Sequence, residues 1–410
     1  MKKIFLKNFF NLIVNQGVNI LVAIIATPIL FQKLGESSFG LMNLSFSILM
    51  LLSIVVSYGY HLNGPKRIAE INNSSSNSTF NFINDIISLR VLIALALSLI
   101  LVFVSLNTNI FEGYDDIILF SIPILFSEAI HPIFYLQGKN NFSVQALLNF
   151  ISKIIFLGFI VFFIVDKNDT YKVNFVLGFS LIVPYLFFWM IIYFRNKIKF
   201  VLINLEKLIY RLKENFQFFF SSIAGHISIH SSLIILKLFV DNNELGKFAL
   251  ANRIAMILRM IPVFIVQSVL QNATILNNQN HQSLNNYLNY YFFRGLIGTF
   301  LIGLFFLIFS KWIIILFAGE EVSYSSDILS VLTFIPFCAM LNFKNLLIIL
   351  INEKKEVLNK STWLSSIFMI LITTISCYYY TGFGLAFGLL ISEILSFLIH
   401  TYFLNKSYEK

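Results

Sequence analysis

Charge is scarce in this chain. Only 12% of its 410 residues are Asp, Glu, Lys or Arg, against about 25% in soluble globular domains, and no water-soluble fold could clothe the 58% that is hydrophobic. Cysteine is nearly absent: Cys338 and Cys377 stand in separate apolar stretches and suggest neither a disulfide framework nor a zinc framework. Also missing are a phosphate-binding GxxxxGK[ST] loop, a GxSxG elbow and any extramembrane segment large enough to house catalysis. These absences exclude ATP-driven work by this chain alone and argue against an enzyme, a cofactor or a bound metal.

What fills the space is apolar sequence, with a mean hydropathy of +0.81. A membrane crossing needs roughly 20 mostly apolar residues, and it must be helical because lipid satisfies no backbone hydrogen bond. On that rule twelve spans are expected, at about 10–31, 40–61, 82–105, 116–137, 143–165, 173–194, 216–240, 247–271, 287–309, 327–351, 357–380 and 383–404. The run that follows Lys2 and Lys3 is too long for a secretory signal and lacks a small-residue cleavage pattern, so it is expected to stay attached. The fold class that follows is an all-α integral membrane protein.

Basic residues sit on alternate connections. One side carries Lys2, Lys3, Lys7, Lys66, Arg67, Lys139, the 195–213 group, Lys354, Lys355, Lys406 and Lys410, whereas the other has only Lys33, Lys167, Lys172, Lys247 and Lys311. Because positive loops are retained in the cytoplasm, both termini are expected there. The net charge of +9 is then a topology signal and gives little reason to expect nucleic acid. The longest charged connection divides the chain into an N-terminal six-helix lobe (1–194), a cytoplasmic linker (195–215) and a C-terminal six-helix lobe (216–410). Phe200, Val201, Leu205, Leu208, Ile209 and Leu212 alternate with charges in the linker as an amphipathic surface helix would; a plain tether is the other reading.

Polar groups at bilayer depth are costly and usually face a wet interior. Cations exceed anions there: Arg90, Lys153, Lys237, Arg253, Arg259, Arg294, Lys344 and Lys360 against Asp85, Glu128 and Glu393. Arg90, Arg294, Lys344 and Lys360 lie near span ends and are placed to snorkel to headgroups. Lys153, Arg253 and Arg259 are deeper and suit a cavity that attracts an anion. Helical spacing puts Asn8, Asn11, Asn15 and Asn19 on one stripe, Ser222, His226, His230 and Lys237 on another, and Arg253, Gln267 and Gln271 on a third. Amides and hydroxyls in such stripes serve equally well to bond neighbouring helices. His226 and His230 have ligand spacing but no accompanying HExxH pattern, so zinc is not expected. Glu128 and His131, one turn apart beside Pro132, are candidates for proton coupling or for a structural pair.

Several segments resemble a known family. Asn15-Gln16-Gly17-Val18-Asn19, Thr27-Pro28, Leu34-Gly35-Glu36-Ser37-Ser38-Phe39-Gly40, Tyr58-Gly59-Tyr60 and Pro65-Lys66-Arg67-Ile68-Ala69-Glu70 look like the opening of Wzx-type polysaccharide flippases of the multidrug/oligosaccharidyl-lipid/polysaccharide (MOP) exporter superfamily. Phe134-Tyr135-Leu136-Gln137-Gly138 resembles the end of the family's fourth span, and Ala251-Asn252-Arg253 resembles part of its eighth. Ser57 departs from the pattern, since many relatives have an acidic residue before Tyr-Gly.

The resemblance implies two six-helix bundles forming a V-shaped central cavity, as in multidrug exporters, which rock between inward- and outward-open states in a bacterial inner membrane. The implied cargo is an undecaprenyl-diphosphate-linked oligosaccharide, such as an O-antigen or capsule repeat unit, flipped with no covalent bond broken. On this reading Lys153, Arg253 and Arg259 act on the anionic headgroup, aided by Arg90 and Lys237, while Asn15, Asn19, His226, His230, Gln267 and Gln271 meet sugar. A polysaccharide polymerase and a chain-length regulator are the implied partners, membrane lipids surround it, and a monomer suffices. Two alternatives stay open: a cation-coupled multidrug antiporter, which needs a carboxylate-rich ion site, and a membrane polymerase, which usually needs a large outer loop.

Overall fold

The computed structural model describes the backbone of residues 2–71, 76–196, 200–277, 279 and 281–407, and the side chains of residues 17–71, 78–196, 200–270, 272–277, 279 and 282–407. Every regular element among them is helical, as the apolar runs demand. In chain order the α-helices are α1 Lys2–Ser57, α2 Tyr60–Ile71, α3 Ser76–Asn107, α4 Asp115–Phe120, α5 Pro123–Ala129, α6 Ile133–Gly138, α7 Phe142–Phe163, α8 Thr170–Asn196 and α9 Leu205–His230. Then follow α10 Ser232–Lys237, α11 Asn242–Asn277, α12 His281–Ile308, α13 Ser310–Ala318, α14 Ser323–Leu332, α15 Ile335–Leu341, α16 Phe343–Ile351 and α17 Lys355–Lys406.

Among the described residues nine helical stretches are long and apolar enough to cross a bilayer. Two of them are far too long for one crossing, since 56 residues at about 1.5 Å each would span more than twice a ~30 Å core. Both are broken. Gly35 takes φ 74°, ψ 171° inside α1, and Tyr380 and Thr381 leave helical geometry inside α17. Large apolar side chains such as Leu99, Leu106, Phe162, Phe194, Trp312 and Leu316 are 70–78% exposed, an arrangement stable only where the surroundings are themselves apolar.

The chain forms two compact units, residues 1–226 and 227–410. In the first, α1 packs on α5, α7 and α8, and α2 lies along α6. Its aromatic-rich core gathers Tyr60, Phe82, Phe134 and Trp189 with Ile83, Ile86 and Leu89. In the second, α11 packs against α12, α14 and α15, and α17 against α10, α15 and α16. Both units break one stretch into three short helices, α4–α6 in the first and α14–α16 in the second, with Pro123 and Pro336 at the starts of pieces. Proline fits there because the first turn of a helix has no use for its missing N–H.

The division falls inside α9, beyond the charged connection, because the first half of that helix is fastened to the first unit. Arg211 donates to Asp85 Oδ2 from Nε (3.1 Å) and Nη2 (2.9 Å), and its Nη1 reaches Glu214 at 2.9 Å. Burial disfavours the Arg211 charge, but the bonds to Asp85 and Glu214 outweigh it and raise the guanidinium pKa. Arg67 also donates to Glu214 (2.5 Å), the Tyr60 hydroxyl donates to the Arg211 carbonyl (3.1 Å) and Asn63 donates to Asn215 (3.0 Å). From Leu205 on, the stretch read as a surface helix or tether is a docked helix continuous with the next apolar segment.

Gly59 makes this docking possible. It sits at φ 73° in the turn between α1 and α2, and a Cβ there would lie 2.5 Å from the Phe219 nitrogen and 2.6 Å from the Phe218 carbonyl carbon. Tyr58 stacks on Phe219 beside it, ring centroids 4.5 Å apart. Gly59→Ala is expected to destabilise the protein by about 1–3 kcal/mol, read as a lowered unfolding midpoint in detergent. Gly225→Ala on α9, whose added Cβ meets nothing within 4 Å, should leave the midpoint in place or raise it.

Candidate functional site

The first unit concentrates its buried polarity where α1 ends. Tyr58 and Gly59 both adopt positive φ, 46° and 73°, and so turn the chain between Ser57, the last residue of α1, and His61 in the first turn of α2. The Ser57 hydroxyl lies 3.3 Å from His61 Nδ1 and accepts from Arg90 Nη2 at 3.5 Å. Arg90 has no exposed surface. Its guanidinium carbon stands 5.1 Å from the Phe134 ring centroid and 5.9 Å from that of Tyr60, so two aromatic faces contact the cation. Its Nε and Nη1 have no hydrogen-bond partner among the described residues.

The counter-charge comes from α5. Glu128 is within electrostatic reach of Arg90, and its Oε2 lies 3.5 Å from His131 Nδ1. His131 in turn stacks on Tyr185 of α8, centroids 4.9 Å apart and planes 16° from parallel. His226 of α9 packs edge-on to His61 with centroids 6.3 Å apart. One guanidinium, one carboxylate and three imidazoles therefore gather where α1 ends. No three His, Cys, Asp or Glu side chains among the described residues gather closely enough to hold a metal ion.

Sequence spacing found the Glu128–His131 pair and named Arg90 and His226 without joining them to it. It missed Ser57, His61 and Tyr185 as members. The snorkelling expected of Arg90 is corrected: full burial between Tyr60 and Phe134 leaves its head no path to a headgroup. Glu128 brings a carboxylate to Ser57 from a different helix.

Elsewhere in the first unit, Asn19 accepts from Asn149 Nδ2 of α7 at 3.2 Å, and half-buried Lys153 lies one turn further along α7. In the second unit Lys237 bonds Asn242 across the α10–α11 turn. On α11, half-buried Arg253 follows buried Asn252, and Arg259 is ion-paired with Glu393 of α17. Arg259 also borders a cavity of about 10 Å³ with Ser228, Ser232 and Asn252, room for one water molecule. His230 is half-buried at the end of α9, and Gln267 is exposed on α11. The side chains of Asn15 and Gln271 lie outside the described residues. Arg294 and Lys360 remain exposed, Arg294 over the Tyr290 ring and Lys360 near Glu356, whereas Lys344 bonds Asn289.

A multi-pass helical fold with buried charges between apolar helices is that of an integral membrane transporter, and solved structures agree on the fold. A lipid II flippase, MurJ, in an inward closed conformation superposes with a TM-score of 0.78 at 17% identity, covering 97% of this chain and 87% of that one. An inward-facing multidrug resistance MATE family transporter of the MOP superfamily gives 0.70 at 14% identity, covering 95% and 96%. The chain belongs to the polysaccharide biosynthesis protein family, whose sequence profile matches residues 5–271. This bears out the family resemblance carried by the opening seventy residues. A Shigella dysenteriae protein with the description "Putative O-antigen transporter" is 25% identical over 402 residues, covering 95% of this chain and 97% of its own. An Escherichia coli K12 protein with the same description is 27% identical over 253 residues, and the match spans 60% of either chain.

If Arg90 and Glu128 are mutual counter-ions, removing either leaves the other buried without its partner. Arg90→Met and Glu128→Gln are each expected to cost about 3–5 kcal/mol, and the double variant to cost less than the sum of the two. A double-mutant cycle on unfolding midpoints measures the coupling; strict additivity would dissolve the pair.

Proposed function

We propose that this protein is a flippase, moving a polyprenyl-diphosphate-linked oligosaccharide from the cytoplasmic to the outer leaflet of a bacterial inner membrane. The observation that carries the reading is similarity along 95% of the chain to a protein described as an O-antigen transporter. The interior charge supports it: with more cations than carboxylates at membrane depth, the units suit an anionic headgroup, and the hydrocarbon tail can stay in lipid. The basic connections support cytoplasmic termini at both ends, which requires an even number of crossings. Twelve crossings result if the breaks at Gly35 and at Tyr380–Thr381 each separate two spans and α9 with α10 supplies one more. The working unit is a monomer, handing its product to a polysaccharide polymerase and its chain-length regulator.

Arg253 is the cation offered to the headgroup, with Lys153 and Arg259 in support. Arg259 shares its charge with Glu393. Glu128 and His131, surrounded by further imidazoles, are the candidate ion-coupling groups. Asn19, Lys237, His226, His230 and Gln267 remain sugar or headgroup contacts, together with Asn15 and Gln271.

Reconstituted protein is expected to move a labelled lipid-linked oligosaccharide across proteoliposomes without chemical change. Conversion of the sugar would make it a polymerase, and drug efflux without lipid movement would make it a multidrug antiporter. Arg253→Ala is expected to reduce surface polymer by at least about tenfold, the scale of one lost charge-assisted contact, with membrane abundance unchanged on immunoblots. Normal surface polymer in Arg253→Ala would reject that residue's role.

A further inference from the structure

We propose that the flank of the first unit holds a docking site for a single-chain lipid phosphate, with the hydrocarbon in a groove along α8 and the phosphate in a polar cleft beside α9. The identity of the occupant, the carrier lipid of the cargo, rests on the flippase reading. The site itself stands on three adjoining spaces. The first is an apolar groove of about 420 Å³ lined by Ile87 of α3, Ile130, Trp189, Met190 and Phe194 of α8, and Phe200. Met190 and Phe194 are 53% and 76% exposed, so no described residue covers them.

At its Phe200 end the groove turns polar. The Tyr193 ring, also part of the groove wall, lies 6.3 Å from Phe200, and its hydroxyl donates to Asn84. Asn84 lines a second space, of about 210 Å³, with Asn81, Asp85, Asn204 and Lys207. Asn81, Asp85 and Lys207 are shared with a third, of about 490 Å³, that adds Arg67, Arg211 and Glu214. An apolar trough that opens at one end into a cleft of amides and cations has the polarity of an amphiphile.

Charge decides what head fits. Asp85 is held by Arg211, Glu214 by Arg211 and Arg67, and Glu70 beside them by Arg67 and Lys66, so the carboxylates are already matched. Lys207 is exposed and lines both polar spaces, and no carboxylate among the described residues pairs with it. The surplus is positive, as a phosphate requires. A single trough accommodates one chain, which favours a polyprenyl lipid over a diacyl phospholipid. The site adjoins the basic connections, on the side assigned to the cytoplasm, where the cargo would be made.

Photo-crosslinking of the full-length protein in phosphatidylethanolamine nanodiscs tests this, with a diazirine-bearing polyprenyl diphosphate as the probe. Label is expected between Leu186 and Phe200, displaced by unlabelled polyprenyl diphosphate but not by equal phosphatidylglycerol or inorganic pyrophosphate. Lys207→Glu is expected to cut labelling by at least about tenfold through like-charge repulsion, and Met190→Trp to do the same by filling the trough. Equal displacement by phosphatidylglycerol overturns the proposal in favour of an ordinary phospholipid site, and displacement by pyrophosphate in favour of a free-phosphate site. Label elsewhere, with flipping intact, removes this site and leaves the flippase reading standing. Label here without any flipping removes the flippase reading alone.

Discussion

A bilayer supplies no hydrogen bond and no counter-ion, so every polar group that this chain carries to membrane depth must find its partner within the chain. That constraint explains both where the helices break and where the charges lie. The turn at Tyr58–Gly59 interrupts a helix that could otherwise have run on, and the polarity it introduces is met at once by α9: Asn215 bonds the Tyr58 carbonyl and Asn63 bonds Asn215. A broken helix at this depth is tolerated because other protein surrounds it.

Arg90 takes the same rule to its limit. A guanidinium with no solvent contact keeps its charge against a desolvation cost of several kcal/mol, and Glu128, Ser57 and two aromatic faces are what offset it. In the second unit Arg259 and Glu393 meet by the same logic from helices far apart in sequence. Cations thus outnumber anions in the interior, yet the deepest ones are not loose charges waiting for a ligand.

Much of the fold was legible because lipid enforces a simple code. Apolar length gives the crossings, whatever the helices pack against. The Glu128–His131 pair was legible for a similar reason, since one helical turn brings the two together without help from the rest of the chain. His61 escaped notice because the Tyr58–Gly59 turn resets the helical phase, so spacing across it no longer tells which residues share a face. Position within a span gave the depth of Arg90 but not its neighbours, and the expectation of snorkelling failed on that point. The linker's amphipathic spacing is real, and what spacing could not give is that Arg211 on its polar face docks on Asp85.

The sequence by itself determined that this is a multi-pass helical membrane protein, its family and its excess of basic residues, because these follow from composition, periodicity and local motif. Only the tertiary structure decided which charges are partners. Arg211 with Asp85 and Arg259 with Glu393 are joined across 126 and 134 residues, and Glu128 comes within electrostatic reach of Arg90 across 38. Separations of that size carry no periodicity, so a contact is specified only once the packing of helices sets one face against another.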